Sequence, residues 1–263
     1  SLKQPPPAME VEGSELYPTA PAEGICEVVL YSPRHDSSLA EEPVEQIRNL
    51  IEVWTDRYIA LGQKPKIEYV FIFENKGDAV GVTLSHPHGQ IYAFPFIPPI
   101  IERELASALE HQKSTGKCLY CTILAEESKD QVRIVAENEH FTAFVPFFAR
   151  YPFEVHVYPK RHATSLAELT DEEKDCLAAV MKELLVKYDA LFDFSLPYIM
   201  ALHQAPTKGD YPHYHFHIEF YPLNRTAQKL KYLAGVESGA GTFVTDMSPE
   251  HQAARIRGEG QDD

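Results

Sequence analysis

Residues 86–90 read His-Pro-His-Gly-Gln and lead directly into the apolar run Ile91-Tyr92-Ala93-Phe94. In a strand, side chains two residues apart project to the same side, so His86 and His88 are expected to share a face. One imidazole can then bind a metal or orient its neighbour, while the other is free to attack phosphorus near neutral pH. A single His-x-His motif is weak evidence, because buried structural histidines are common. The meaning of this motif therefore depends on its surroundings.

A second copy of these surroundings follows later in the chain. The stretch Tyr-Ser-Pro-Arg-His ends at His35, 51 residues before His86, and Tyr-Pro-Lys-Arg-His ends at His162, 51 residues before His213. Between these anchors both halves read as a long amphipathic helix, a strand and then the histidine strand. A shift of 127 residues superposes His35 on His162, His86 on His213, His88 on His215 and Gln90 on His217. The sequence therefore predicts an internal duplication of two similar α+β units that share one sheet or one interface.

Length, composition and charge restrict the possible functions. The 263 residues carry a hydrophobic fraction of 44%, which is typical of a globular protein. The net charge of −15 argues against nucleic acid or an anionic membrane as partner, although a locally positive site can still bind a small anion. No run of 18 apolar residues predicts a transmembrane helix.

The chain divides into three predicted regions. Residues 1–23 are rich in Pro and Glu and are expected to form an irregular arm. Because the chain opens on Ser1 rather than Met, we expect that its true N-terminus is missing. Residues 24–112 form the predicted first half, and residues 113–263 form the second.

Two cysteines in the second half have the spacing of metal ligands. Cys118 and Cys121 form a Cys-x-x-Cys pair after Gly116, and histidines follow at a distance, which is typical of a zinc site. The competing interpretation is a redox pair. A redox pair usually opens a helix directly after a strand, whereas residues 113–116 read as a loop.

The second histidine strand carries several residues that can bind metals. Strand alternation places His213, His215, His217 and Glu219 on one face, with apolar residues on the other. Such a row would be costly to bury without partners, so a metal or a phosphate-bearing ligand explains it better. Glu104, on a predicted helix, reads from sequence alone as a solvated carboxylate.

At this point the residues resemble a known family. His86–Gln90, with Phe73-Glu74-Asn75-Lys76-Gly77 upstream, is similar to the active-site signature of galactose-1-phosphate uridylyltransferases, a branch of the histidine-triad (HIT) superfamily. The resemblance covers nearly the whole chain and includes Pro152-Phe153-Glu154 and Phe220-Tyr221-Pro222. It implies an α+β, duplicated HIT-like fold, with two antiparallel-sheet halves and flanking helices.

The resemblance also implies a reaction, the ping-pong transfer of UMP. His88 would attack the α-phosphorus of UDP-glucose, and the resulting uridylyl-histidine would pass UMP to galactose 1-phosphate. Gln90 would stabilise the transferring phosphate, and Gly89 would let the phosphate approach the backbone closely. The remaining implied substrate-binding residues are Asn75 and Thr83 near the phosphates and Lys231, Tyr232 and Glu237 near the sugar.

Three metal-ligand sets follow from the resemblance. His35 and His86 match half of a first zinc site, whose cysteine pair would precede residue 1. Cys118, Cys121, His162 and His213 form the matching zinc set of the second half. A second metal, iron or zinc, would be held by Glu104, His203, His217 and Glu219. Better-known family members carry His where this chain has Glu219, and a carboxylate suits either metal.

The expected substrates are UDP-glucose and galactose 1-phosphate, with no nucleic acid and no membrane as partner. The resemblance implies a cytoplasmic homodimer. Within the superfamily, a nucleotide-sugar phosphorylase or adenylyltransferase remains an alternative. From another class, His213-x-His215-x3-Glu219 also fits the metal signature of cupins. Neither the flanking glycines nor the two long predicted helices fit a cupin.

Overall fold

The computed structural model describes residues 11–82, 84 and 86–259. In the described part of the predicted arm, residues 11–22 form no helix or strand. The first half then folds as a strand, a long helix and two strands, with a short 3₁₀ turn at Asp78–Val80. These elements are β1 (Ile25–Leu30), α1 (Val44–Gly62), β2 (Tyr69–Lys76) and β3 (His88–Phe94).

Two helices connect the halves, and the second half repeats the same order after a hairpin. The connecting helices are α2 (Pro99–Thr115) and α3 (Leu119–Asp130). The hairpin and the repeated unit comprise β4 (Ile134–Glu137), β5 (Phe141–Phe144), β6 (Val155–Pro159), α4 (Asp171–Leu191), β7 (Tyr198–His203) and β8 (His217–Pro222). A 3₁₀ turn at Leu166–Glu168 precedes α4. The C-terminal elements are β9 (Asn224–Thr226), β10 (Lys229–Leu230), α5 (Gly235–Ala240) and α6 (Pro249–Ile256).

Both halves contribute to one eight-stranded sheet. Its order is β1-β3-β2-β7-β8-β6-β5-β4, and every neighbouring pair is antiparallel. The halves meet where β2 pairs with β7, and on either side of this seam β3-β1 mirrors β8-β6. The predicted α+β fold with antiparallel halves is therefore confirmed. The predicted boundary at residue 112 falls inside α2, and the boundaries themselves stay a prediction.

The helices pack on opposite faces of this sheet. The buried stripes of α1 and α4, centred on Trp54 and Leu184, cover one face along both halves. The other face is packed by α2 and α3 through Leu105 and Leu124 in a second core. α4 begins at a capping box in which the Thr170 hydroxyl accepts the Glu173 backbone N–H and the Glu173 carboxylate accepts the Thr170 N–H. None of the described helices is long and apolar enough to span a membrane.

The register of the repeat differs from the predicted one. β8 begins at His217, whereas His213 lies in a turn closed by the Tyr214 N–H donating to the Tyr211 carbonyl at 3.0 Å. β3 begins at His88, so His88 matches His217 and Gln90 matches Glu219. The predicted superposition of His88 on His215 and of Gln90 on His217 is therefore wrong. A fixed spacing of 51 residues could not reveal that His162 and His215 are 53 residues apart, two more than His35 and His86.

Candidate active site and metal centres

The candidate nucleophile is His88, the first residue of β3. Its Nδ1 lies 2.8 Å from the backbone carbonyl of His86. A carbonyl only accepts hydrogen bonds, so the proton must be on Nδ1, and the lone pair is on Nε2. A neutral imidazole with a free Nε2 is a competent nucleophile.

A cavity of about 530 Å³ opens beside this histidine. Its size is within the range of small-molecule sites. Three residues named from sequence, Asn75, His86 and His88, line it together with Glu74 and Lys76. The described residues that line the cavity do not include five others named from sequence, Gln90, Gly89, Lys231, Tyr232 and Glu237. Thr83 lies outside the described residues.

Gln90 follows His88 on the same face of β3. The Tyr92 hydroxyl donates to Gln90 Oε1 at 3.2 Å. This bond fixes the amide so that its NH₂ group remains available to a phosphate oxygen. The role of Gln90 in phosphate stabilisation stays a prediction.

Gly89 has a different role from the predicted one. A Cβ at this position would overlap the hydroxyl of Tyr31 and lie 2.8 Å from its Cζ and 3.0 Å from the Phe73 carbonyl oxygen. Tyr31 is fully buried, and its N–H donates to the Pro87 carbonyl at 2.9 Å. Because a Cβ at Gly89 would point into the core, away from the cavity, the structure explains the glycine by packing. The predicted reason, close approach of a phosphate, is not the one that the structure supports.

The cavity wall contains one buried carboxyl group. Burial raises the pKa of Glu74 to about 8, although Lys76 and a 3.3 Å hydrogen bond from the Tyr198 hydroxyl act in the opposite direction. Lys76 pairs with Asp189 at 3.1 Å. Glu74 is therefore largely uncharged near neutral pH, which reduces its repulsion of an anionic substrate.

His35 and His86 approach each other beside the cavity. Their Nδ1 atoms are 2.8 Å apart, so the two imidazoles present these nitrogens to one point. Two histidines are half of a tetrahedral zinc set. No cysteine pair accompanies them within the described ranges, where the Cys-x-x-Cys pair is that of the second half.

The second half has the complete set, with one correction. The ligand atoms of Cys118, Cys121, His162 and His215 all lie within 4.8 Å of one another. The Cys121 sulfur is 3.5 Å from His215 Nδ1 and 3.7 Å from His162 Nδ1. The prediction that His213 is the fourth ligand is wrong, because the turn removes it from the group. His215 Nε2–H donates to the Pro159 carbonyl at 3.0 Å, which directs Nδ1 at the sulfurs.

The electrostatics of this cluster favour a cation. Hydrogen bonding with Cys121 lowers the pKa of Cys118 to about 3, against the opposing effect of burial, and His215 adds to the decrease. The two thiols share one proton, so the hydrogen bond with Cys118 raises the pKa of Cys121. The pair opens α3 after another helix, not after a strand, so the redox-pair interpretation loses its structural basis.

The third set converges as predicted. The ligand atoms of Glu104, His203, His217 and Glu219 lie within 4.8 Å of one another, because α2 lies over β7 and β8. His203 Nδ1 is 3.0 Å from Glu104 Oε1, and His217 Nε2 is 3.3 Å from Glu219 Oε1. Glu104 also accepts the Tyr214 hydroxyl at 2.6 Å, so it is not the solvated carboxylate that its sequence context suggests.

Charge–charge interactions dominate this buried group. Burial alone would raise the pKa of Glu219, but His156 and His203 lower it well below the usual range. Burial would lower the pKa of His203, but Glu104 and Glu219 raise it to about 9. Two imidazoles and two carboxylates are a donor set that suits a first-row divalent cation.

Sequence reasoning missed His156, which lies beside Glu219 in this cluster. Its Nε2 is 3.4 Å from Glu219 Oε1. A signal was present, because Glu154 and His156 alternate along a strand that is otherwise apolar and buried. The sequence does not show that β8 is the neighbouring strand, so the alternation could not be connected with Glu219.

The fold and the site together define a class, nucleotidyltransferases built from two similar α+β halves. The sequence model of the galactose-1-phosphate uridyl transferase N-terminal domain matches residues 1–98, and that of the C-terminal domain matches residues 104–261. The chain belongs to this family.

Individual relatives agree with the assignment. A galactose-1-phosphate uridylyltransferase of Thermotoga maritima is 44% identical over 98% of this chain and 81% of its own length. The enzyme of that name from Haemophilus influenzae is 38% identical over 98% and 73%. A solved uridylyltransferase structure superposes with a TM-score of 0.92 at 40% identity, covering 98% of this chain and 82% of the other. An ADP-glucose phosphorylase from Arabidopsis thaliana superposes with a TM-score of 0.82 at 28% identity, covering 91% and 75%.

Proposed function

We propose that this chain transfers UMP between UDP-glucose and galactose 1-phosphate through a uridylyl-histidine on His88. The observation that carries the proposal is the hydrogen bond from His88 Nδ1 to the His86 carbonyl at the wall of the cavity. It leaves Nε2 as the free nucleophilic atom. Family membership and the similarity to uridylyltransferases support the choice of substrates.

The reaction has two matched steps. His88 Nε2 bonds to the α-phosphorus of UDP-glucose, the bond from that phosphorus to the bridging oxygen breaks, and glucose 1-phosphate leaves with the electron pair. A phosphate oxygen of galactose 1-phosphate then attacks the same phosphorus, the P–N bond breaks, and UDP-galactose forms. Such transfers need in-line positioning and charge stabilisation more than acid–base assistance. In this proposal Gln90 donates to a non-bridging oxygen and Asn75 binds the phosphates from the cavity wall.

The residues expected to contact the sugar suggest a homodimer. Lys231 is buried in an ion pair with Glu237 at 2.9 Å, while Tyr232 is exposed. Since none of the three is found among the described residues that line the His88 cavity, we propose that they serve the cavity of a second copy. Thr83 is retained in the proposal as a phosphate contact.

The metal assignments belong to the same proposal. Cys118, Cys121, His162 and His215 would hold a tetrahedral zinc, which orients the segment between β7 and β8. Glu104, His203, His217 and Glu219 would hold iron or zinc, and His35 with His86 would supply two ligands of a further zinc. All three sites are structural, because they position the histidine strands. A cytoplasmic location is included, since phosphorylated sugars do not cross membranes unaided.

A phosphorylase acting on an adenine nucleotide sugar is the second candidate. The similarity to the Arabidopsis thaliana ADP-glucose phosphorylase supports it, since that protein has the same fold at 28% identity. Its chemistry would use the same histidine, with inorganic phosphate as acceptor in place of a sugar phosphate.

The two candidates are separated by pairing each donor with each acceptor. Purified protein is incubated with UDP-glucose or ADP-glucose, and galactose 1-phosphate or inorganic phosphate is then added. The proposal predicts UDP-galactose from the first donor and first acceptor and no more than a trace of product from ADP-glucose. Preferential conversion of ADP-glucose with phosphate would replace the proposal by the second candidate. His111→Asn, on α2 where its Nε2 lies 3.2 Å from the Thr122 hydroxyl oxygen, is a control that should leave every product unchanged.

A further inference from the structure

The buried cluster around Glu219 contains side chains that have no part in the proposed reaction. Glu154 is fully buried and His156 is 2% exposed, although both are polar and neither belongs to the converging ligand set. Arg150 contacts the carboxylate of Glu219 from the edge of the cluster. Burying polar groups of this kind is costly unless each one has a defined partner.

Polar contacts form a chain that ends at the ligand, with hydrogen bonds up to His156 and an ion-pair contact from His156 to Glu219. The Glu154 carboxylate accepts the backbone N–H groups of Arg150 at 2.7 Å and Tyr151 at 2.9 Å, which fixes its orientation. Its other oxygen is 2.9 Å from His156 Nε2, and that nitrogen is 3.4 Å from Glu219 Oε1. Each member is therefore held by the one before it, starting from the backbone.

The two oxygens of Glu219 have different neighbours. Oε2 lies 3.1 Å from Arg150 Nη2 and also accepts the Tyr221 hydroxyl. Oε1 lies near His156 and His217. Without His156, only His217 of these two histidines would remain beside Oε1, and the attraction of Oε2 to Arg150 would turn the carboxylate more readily toward the edge of the cluster. His156 counteracts this rotation.

The strand register places this histidine directly across from the ligand. His156 on β6 pairs with Glu219 on β8, and side chains directly opposite each other in a sheet are the ones that interact most strongly. At the equivalent place in the first half, Val28 on β1 pairs with Gln90 on β3 and is 64% exposed. The first half, which has Gln90 in place of the carboxylate ligand, therefore has an apolar residue at the position equivalent to His156.

We propose that His156, itself held by Glu154, is a positioning residue of the Glu104–His203–His217–Glu219 centre. It keeps Oε1 of Glu219 directed at the point where the four ligand atoms meet, and the centre takes a first-row divalent cation. The inference rests on the metal assignment made under the proposed function. Partners that orient a metal ligand are typically worth about 10–100-fold in metal affinity.

The test measures metal affinity, not activity. The probe is Co²⁺ added to metal-depleted full-length protein, because cobalt bound to thiolate gives an intense charge-transfer band that nitrogen and oxygen ligands do not. The cysteine centre and the Glu219 centre are thereby titrated separately in one sample. The variants are His156→Leu, which removes the N–H, and His156→Gln, which retains an N–H donor. The control is His251→Leu, a part-buried histidine of α6 that belongs to none of the groups of described residues able to hold a metal ion.

We expect His156→Leu to weaken Co²⁺ binding at the thiolate-free centre by about 10–100-fold, with the thiolate band unchanged. His156→Gln should recover most of the affinity, and His251→Leu should match the unaltered protein. Equal affinity in His156→Leu, or equal weakening at both centres, would overturn the inference and leave the metal assignment standing. If the unaltered protein bound no Co²⁺ outside the thiolate centre, the inference and the metal assignment would fail together. If His156→Leu does not fold, the test depends on His156→Gln. A weakening of about 10–100-fold in that variant would contradict the inference.

Discussion

The two halves of the molecule use the same histidine geometry for two purposes. His88 and His217 each begin the equivalent strand, and each bonds through Nδ1 to the carbonyl two residues earlier, at 2.8 and 2.9 Å. Both therefore present Nε2 on the same face of the sheet. In the first half that nitrogen is beside a cavity, and in the second it is part of a converging ligand set.

The difference lies in what covers the sheet. α2 and α3 pack over the second half, bringing Glu104 to His217, which is 1% exposed. On the same face of the first half, Val28 remains exposed beside Gln90. In the proposed function, the same backbone arrangement thus gives a reactive nitrogen where small molecules can enter and a metal ligand where a helix supplies a carboxylate. Chemistry in this fold depends on the covering helices more than on the histidine strand.

The largest expected effect comes from removing the reactive nitrogen of the first half. His88→Asn keeps polarity and similar volume but loses Nε2, so transfer should fall by at least about 10⁴-fold. The exchange of labelled glucose 1-phosphate into UDP-glucose measures the first step alone. Unchanged far-ultraviolet circular dichroism verifies that the variant is folded. Exchange that continues within about tenfold of the unaltered rate would exclude His88 as nucleophile.

The second prediction compares two neighbouring histidines of the second half. His215→Ala removes a ligand of the cysteine centre and should reduce zinc affinity by more than about 100-fold, beyond the usual effect of altering a ligand's partner. His213→Ala should leave the affinity nearly unchanged, because His213 lies in the turn outside the group. Chelator competition measures both variants. The reverse order of effects would restore the register expected from the fixed spacing.

The third prediction concerns the buried carboxyl group of the first half. Burial raises the pKa of Glu74 from 4.5 to about 8, so the folded chain retains a proton that the unfolded chain releases. Stability from this group is greatest below about pH 4.5 and falls as the pH rises, levelling off above about pH 8. The loss is at most about 1.4 kcal/mol per pH unit.

Glu74→Gln should therefore gain stability relative to the unaltered chain as the pH rises from about 5 to about 8. Urea unfolding at several pH values measures the difference, with Glu45→Gln as an exposed control that should show no such trend. A difference that does not change with pH would mean that Glu74 is ionised in the folded chain.

The smallest effect is expected at the glycine of the histidine motif. Gly89→Ala places a methyl group against Tyr31 and should destabilise the fold by about 1–3 kcal/mol, as overpacking does. Tyr31→Phe in the same background should restore part of the loss, because it removes the overlapping hydroxyl. Gly239→Ala, where a Cβ meets nothing within 4 Å, is the matched control. If the double variant were no more stable than Gly89→Ala, the packing explanation for Gly89 would be wrong.

These comparisons also separate what the sequence reveals from what only the fold can. The histidine motif, the strand and helix order and the capping box at Thr170 depend on local patterns, so they were predictable. The exchange of His213 for His215 depends on two extra residues between His162 and His215, which a fixed repeat spacing conceals. The convergence of Glu104 with His217 depends on where α2 packs, and no local pattern specifies that. His156 was missed for the same reason, because its partner lies on a different strand.

The most direct test of this account is to map the covalent adduct. Protein is incubated with UDP-glucose labelled in the uridine, without acceptor, and then digested and analysed by mass spectrometry under conditions that preserve the P–N bond. The account predicts one acid-labile UMP per active site, on the peptide that contains His88, with stoichiometric release of glucose 1-phosphate. UMP on His217 or on any other residue, or exchange without an adduct, would contradict it.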